Sequence, residues 1–307
     1  MRKMYYPYFR GKQFDLLALS TLVKEQRWSK KIIPIIEPVR DSATLKKTIE
    51  LFQKEKLQLY IIENPQVGRF KFFEAKQHPW QLKADTSIYS AEIITNQKLD
   101  QTSLAIFNEQ STRDQNLLNS NQFALLPNQG RFRILPFQKK IILDDAFIAR
   151  KKIETYGNHD DDFFSDQHLY YQTDGFAGFS DYTIESSRYF DKGGPSRAIA
   201  IHVTYFDAYL NLRVKHFVSD TNDSTKDQAL KFFEAAEKML EWYDRNQDQL
   251  LLTLGMTELI NYLKTKKFPG LGTIKKWSLA HHLELLGAYL NEGNHYLKGW
   301  KKYGIQG

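Results

Sequence analysis

The 307-residue chain carries a formal charge of +7, from 43 Lys and Arg against 36 Asp and Glu, and is 42% apolar and 14% aromatic. That apolar content supports a real core and excludes general disorder, and the length fits one large α/β barrel, with or without an appendage. There is no cysteine, which removes disulfides, thiolate metal sites and cysteine nucleophiles together and fits a reducing, cytoplasmic setting. The opening MRKMYYPYFRGKQFD lacks the apolar core of a signal peptide, and no apolar run approaches the ~20 residues of a membrane span. A soluble, cytoplasmic protein with no membrane partner is expected. Lys-Lys pairs are dispersed from 30–31 to 301–302, a pattern of solvated surface more than of a nucleic-acid stripe, so nucleic acid is a possible partner but not the favoured one.

Taken in order, YYPYF (5–9) reads as a strand, followed by Gly11 and a helical segment carrying Phe14, Leu16, Leu17, Leu19 and Leu22. KIIPIIEPV (31–39) is a buried strand, and DSATLKKTIELFQKEK (41–56) is a helix that Asp41 or Ser42 can cap. LQLYIIENP (57–65) is the third strand, and a less regular helix-like stretch follows through Phe70, Phe72 and Phe73. SIYSAEIIT (87–95), SLAIFNEQ (103–110), FALLPN (123–128), KKIILDDAF (139–147) and GFAGFSDYTI (175–184) complete eight strands.

Short strands alternating with helical stretches predict parallel βαβ units, and eight of them predict a TIM-barrel-like (β/α)₈ fold over 1–185. Some units leave little room for a full helix, so a doubly wound open sheet is the alternative. AIAIHVTYF (198–206) and LRVKHFVSD (212–220), joined by DAYLN, predict an antiparallel hairpin. Helices are expected at 224–246, 253–267 and 275–291, with FPGLG (268–272) as a break. The part from 186 to 307 is expected to pack with the barrel as one unit.

Several phrases carry a resemblance: YYPYFRGKQFDLLAL (5–19), KIIPIIEPV (31–39), GFSDYTI (178–184), GGPSRAIAIHVTYF (193–206), KHFVSD (215–220) and GLGTIKKWSLAHHLELL (270–286). With these the chain resembles the bacterial and phage "beta protein" family. The resemblance implies a protein of phage–host conflict, such as anti-phage defence, acting beside a separately encoded companion protein. It brings no catalytic residues with it.

In a barrel, functional groups belong at the C-terminal ends of the strands. That rule selects Glu37, Glu63, Glu109, Asp144, Asp145 and Asp181, with Arg10 and Lys12 after the first strand. Glu37, Glu63, Asp144 and Asp181 are the candidate catalytic groups. Glu37, Glu63 and Asp181 are the candidate ligands for Mg²⁺ or Mn²⁺, which take oxygen donors, and Arg10 and Lys12 are the candidate anion clamps. The expected chemistry is hydrolysis or lysis of a phosphate ester or nucleotide. Acids are also common in turns, and a non-catalytic barrel that binds a companion protein is the alternative.

His202 and His216 lie on the hairpin and can face each other or a carboxylate such as Asp220; plain cross-strand packing is the simpler account. His281 and His282 are adjacent on a helix and point about 100° apart, which disfavours a shared metal. Packing of one of them against Trp277 is the simpler role. No HExxH, P-loop, GxGxxG or GxSxG pattern occurs, and Gly193-Gly194-Pro195 reads as a joint.

Overall fold

The computed structural model describes residues 3–72, 87–94, 104–109, 111, 123–137, 139–190 and 196–293. The expectations for residues 95, 103 and 110 at strand ends, for Phe73 and for the Gly193-Gly194-Pro195 joint fall outside these residues.

All eight predicted strands form, and they pair in parallel. In chain order they are β1 (Tyr8–Phe9), β2 (Ile35–Ile36), β3 (Leu59–Ile62), β4 (Ile88–Ile93), β5 (Leu104–Ile106), β6 (Phe123–Pro127) and β7 (Lys139–Asp144). One strand, β8 (Asp161–Ser165), then leaves this sheet before β9 (Gly178–Asp181) takes the eighth barrel position. The sheet order is β1-β2-β3-β4-β5-β6-β7-β9. Tyr5 bridges both Ile32 and Phe179, and Tyr6 N–H donates to Phe179 O at 2.8 Å, so the first and last strands meet and the barrel is nearly closed. The open-sheet alternative is thereby set aside. Pro7 lacks an N–H, so regular pairing of the first strand begins only at Tyr8, with Tyr5 attached separately on its other side.

Strand parity fixes which side chains enter the barrel. Tyr6, Tyr8, Ile35, Tyr60, Ile62, Leu125 and Ile141 fill the interior, whereas Tyr5, Phe9, Ile36, Leu59, Ile61, Ile142 and Phe179 face the surrounding layer. Gly178 is required here, because a Cβ would run into the Tyr6 ring where it crosses the interior.

The helices α1 (Gln13–Lys24) and α2 (Ala43–Lys54) cover the first strands, and Ser42 Oγ caps α2 by accepting from Leu45 N–H at 3.2 Å. Among the described residues, the helical segments between the later barrel strands are short: 3₁₀ turns at Arg69–Phe72 and Ile153–Asn158, α3 (Gly130–Arg133) and α4 (Gln167–Tyr170).

A second sheet, ordered β10-β11-β8, combines the expected hairpin β10 (Ala200–Phe206) and β11 (Leu212–Val218) with β8, which sequence reading missed. This sheet therefore draws one strand from inside the barrel's own span.

The predicted helices at the C-terminal end form as α5 (Gln228–Asn246), α6 (Leu254–Lys264) and α7 (Leu271–Glu292). The first starts later than expected, because Asp227 at its start adopts φ 54° and offers no side-chain cap. The last starts earlier, running through Gly272, where a Cβ would strike the Phe14 ring, so this glycine lets α7 lie close on α1. Helix α7 is buried nearly all round, against α1, α6 and β10. Among the described residues, no helix is long and apolar enough to cross a membrane.

Candidate functional site

The barrel mouth is closed by side chains that satisfy one another. Glu37 follows β2 on the inward parity of Ile33 and Ile35 and is 0% exposed. It accepts from Tyr8 Oη at 2.6 Å, from the Gln66 backbone N–H at 2.6 Å, and from the Arg10 guanidinium. Arg10 lies over the Tyr8 and Tyr182 rings at 5.1 and 5.5 Å and donates to Ser187 O at 2.7 Å. Ser187 is fixed in turn by Asp145, which accepts from its N–H at 2.9 Å and its hydroxyl at 2.6 Å. Burial, followed by the charge of Glu37, pushes the Tyr8 phenol well above its usual range. Both oxygens of Glu37 are thus taken, and Arg10 Nε is buried without a hydrogen-bond partner.

The other predicted acids do not join Glu37. Glu63 occupies the strand parity of Leu59 and Ile61, which face outward. Asp144 and Asp181 are register partners on the outward face of β7 and β9. Asp181 accepts from Tyr5 Oη at 2.6 Å and from Thr183 N–H at 2.7 Å, and burial pushes its carboxyl up to about 7 against those hydrogen bonds. Burial also raises Asp144, against a hydrogen bond from Asn128. Glu109 lies near Gln129, whose side-chain amide donates to it at 3.4 Å. The predicted ring of Glu37, Glu63, Asp144 and Asp181 is thus split across the two faces of the sheet. Among the described residues, no group of three or more His, Asp or Glu is placed to hold a metal ion.

Lys12 points elsewhere, to a second region. Its Nζ is 3.6 Å from Glu185 Oε2, and Lys275 of α7 bridges Glu185 and the buried Asp15, at 3.0 Å from Asp15 Oδ1. Lys12, Glu185 and Lys275 line a cavity of about 990 Å³. Its walls come from the segments after the first, seventh and eighth barrel strands, from β10 and from the first turns of α7. Six cationic side chains line it (Lys12, Lys151, Lys152, Arg188, Arg197 and Lys275) against two carboxylates, Glu154 and Glu185. Both carboxylate oxygens of Glu185 are engaged by lysines, and among the described residues Lys151, Lys152, Arg188 and Arg197 make no ion pair. Phe190, 65% exposed, presents an aromatic ring at the same cavity.

The back of the cavity holds a chain of titratable groups. Arg150 grips Asp162 of β8 with two hydrogen bonds, at 2.6 and 2.8 Å. His216 Nε2 of β11 is 2.9 Å from Asp162 Oδ2, and its Nδ1 is 2.8 Å from Nδ1 of His202 on β10. Burial works against the Asp162 charge, but hydrogen bonds from Arg150 and His216 prevail and hold it at about 2. Burial, then His216 and Arg150, push His202 down to about 3, and burial lowers His216 despite Asp162. The sequence expectation that His202 and His216 face each other is met; the carboxylate is Asp162 and not Asp220, which pairs with Lys238 at 2.6 Å.

His281 and His282 diverge as adjacent helical residues must. His281 bonds Thr253, the cap residue of α6, at 2.8 Å and the Thr204 carbonyl at 2.6 Å. His282 reaches the Tyr5 hydroxyl at 3.0 Å and Thr204 Oγ1 at 3.3 Å. Both are buried: His281 fastens α7 to α6 and the side sheet, and His282 fastens α7 to the side sheet and to Tyr5, where the barrel closes.

The structure therefore defines the chain as a TIM-barrel-like α/β protein with an added antiparallel sheet, and puts a cationic cavity where the two meet. No family model matches the chain, and neither a curated protein nor a solved structure matches it.

Proposed function

We propose that the chain binds and processes a phosphorylated small molecule or nucleotide in the cavity beside the barrel mouth. The observation that carries this reading is the excess of six cationic over two acidic side chains around a space of about 990 Å³. Its position supports the reading, since segments following the seventh and eighth strands of such barrels are where phosphate groups are commonly held. The 22-residue helix α7 begins at the cavity wall with Leu271, adding the positive end of its dipole. The exposed ring of Phe190 suits stacking against a base, which favours a nucleotide over a bare phosphate ester. A Mg²⁺ or Mn²⁺ ion belongs to this reading only as a companion of the bound phosphate, because Glu37, Glu63 and Asp181 do not share a face.

Calorimetric titration of the protein with inorganic phosphate and with ADP, each with and without Mg²⁺, tests the proposal. Saturable binding is expected, tighter for ADP, and weakened about tenfold or more by the pair Lys152→Ala with Arg197→Ala. Absence of binding by the native chain to both probes would sink it.

A second reading, a module that binds a companion protein in phage–host conflict, draws on the family resemblance. It is favoured by the exposure of Leu230, Leu252 and Phe268 on the C-terminal helical part. Co-purification of the neighbouring gene's product, lost on Leu230→Glu with Phe268→Glu, is its expected result. A complex that survives both charges removes this reading.

A further inference from the structure

The chain of Asp162, His216 and His202 has a directional hydrogen-bond order. Asp162 is ionised and grips Arg150, so toward His216 it is an acceptor only. His216 Nε2 must then carry the proton, which leaves its Nδ1 bare. That bare nitrogen must accept from Nδ1–H of His202 at 2.8 Å. A neutral imidazole has one proton, so His202 Nε2 is left with a free lone pair. His202 is half-buried and lines the cavity, and among the described residues no group hydrogen-bonds its Nε2. The Phe147 and Tyr156 rings stand edge-on to the imidazole, at 5.2 and 4.8 Å between centroids, and fix its plane. A pair of histidines serving only to pack the side sheet has no need of such an order, nor of an end that opens on the cationic cavity.

We propose that His202 Nε2 is the proton acceptor of the cavity, a role that rests on the anion-binding reading above. An O–H bond of the bound phosphoryl ligand, or of a water beside it, breaks as the N–H bond at Nε2 forms. The Nδ1 proton of His202 passes to His216 Nδ1, and the charge comes to rest as a His216 imidazolium beside the Asp162 carboxylate. His202 is the group that touches the ligand; His216 and Asp162 are positioning residues. Around this pair stand Tyr156 and Arg150 from the segment after β7 and Asp162 of β8. Across the cavity are Lys12, Lys151, Lys152, Glu154, Glu185, Arg188, Arg197 and Lys275. Burial, with the Arg150 charge beside it, keeps the empty pair neutral, and a bound anion opposes that.

The test is nitrogen-15 NMR of the full chain with labelled histidine, signals being assigned by His202→Gln and His216→Gln, with inorganic phosphate as the probe. In the free protein His202 is expected protonated at Nδ1 and bare at Nε2, with His216 the reverse. Saturating phosphate should raise the midpoint of protonation of the pair by about one unit or more, a response that packing alone would not give. A proton on His202 Nε2 in the free protein, or phosphate binding that leaves the midpoint fixed, would each overturn the role. If calorimetry detects no phosphate binding while the tautomers are as stated, the anion-binding reading has failed and the role falls with it.

Discussion

The barrel mouth and the cavity beside it use the same residue types to opposite ends. At the mouth, Tyr8, Arg10 and the Gln66 backbone engage both oxygens of the fully buried Glu37, and of the Arg10 guanidinium only Nε is left without a hydrogen-bond partner. In the cavity, the rim cations Lys151, Lys152, Arg188 and Arg197 are exposed, and the lining histidine, His202, keeps a bare nitrogen. A site is recognised by what it leaves unsatisfied. Charge at strand ends is therefore a poor guide by itself, since a closed plug and an open site both contain it.

The largest effect is expected at the plug. Glu37→Ala leaves Arg10 without its carboxylate and the buried Tyr8 hydroxyl without its acceptor, and should cost about 3–5 kcal/mol in denaturant unfolding at pH 7. A loss below about 1 kcal/mol would show that the mouth is held by something else.

On the outward face the effect runs the other way. Asp181 is raised to about 7 in the folded chain, above its ordinary 3.8. Its contribution to stability is therefore full below about pH 4 and is lost as pH rises through 7, where the buried carboxylate ionises. Asp181→Asn should accordingly stabilise the protein by about 2–4 kcal/mol at pH 8 and by little at pH 4. Equal effects at the two pH values would refute a neutral buried carboxyl.

Asp162 gives the mirror image. Held at about 2, it contributes stability above about pH 4 that is lost as pH falls toward 2, on the order of 2 kcal/mol. Asp162→Asn should flatten that acid limb in a pH series of thermal unfolding; an unchanged limb would mean the Arg150–Asp162–His216 contacts carry no net stability.

The smallest stability effect is expected at the rim. Arg197→Ala should alter stability by no more than about 0.5 kcal/mol while weakening phosphate binding several-fold. A large stability loss there would place Arg197 with the plug and not with the site.

The eight barrel strands were legible because their β-branched runs are short, apolar and separated by turns, as at Ile32–Ile36 and Ile141–Leu143. Strand β8 was not, since DDFFS puts the carboxylate of Asp162 on its buried side and the exposed Phe163 outside, inverting the usual alternation. The strand-end acids were found, but not which way they face. Parallel barrel strands are apolar on both faces, so a run such as IIPIIE does not say which face is the interior. Parity relative to Ile35 puts Glu37 inside, and parity relative to Phe179 puts Asp181 outside, once closure is known. The cavity stayed hidden because its cations come from four distant stretches around Lys12, Lys151, Arg188 and Lys275, each of which reads alone as solvated surface.

The excursion of β8 has a consequence for how the protein is made. On a ribosome the seventh barrel strand emerges, then β8, then the eighth strand, while the β11 partner of β8 follows much later: Arg213 is 52 residues beyond Asp161, which it binds. Until the hairpin is released, β8 is an edge strand with nothing beside it, exposed to pairing with other nascent chains. The barrel and the side sheet are threaded through one another, so neither can be cut out as a self-standing piece. Any shortened version that ends soon after β9 will carry an orphan strand that the whole chain exists to cover.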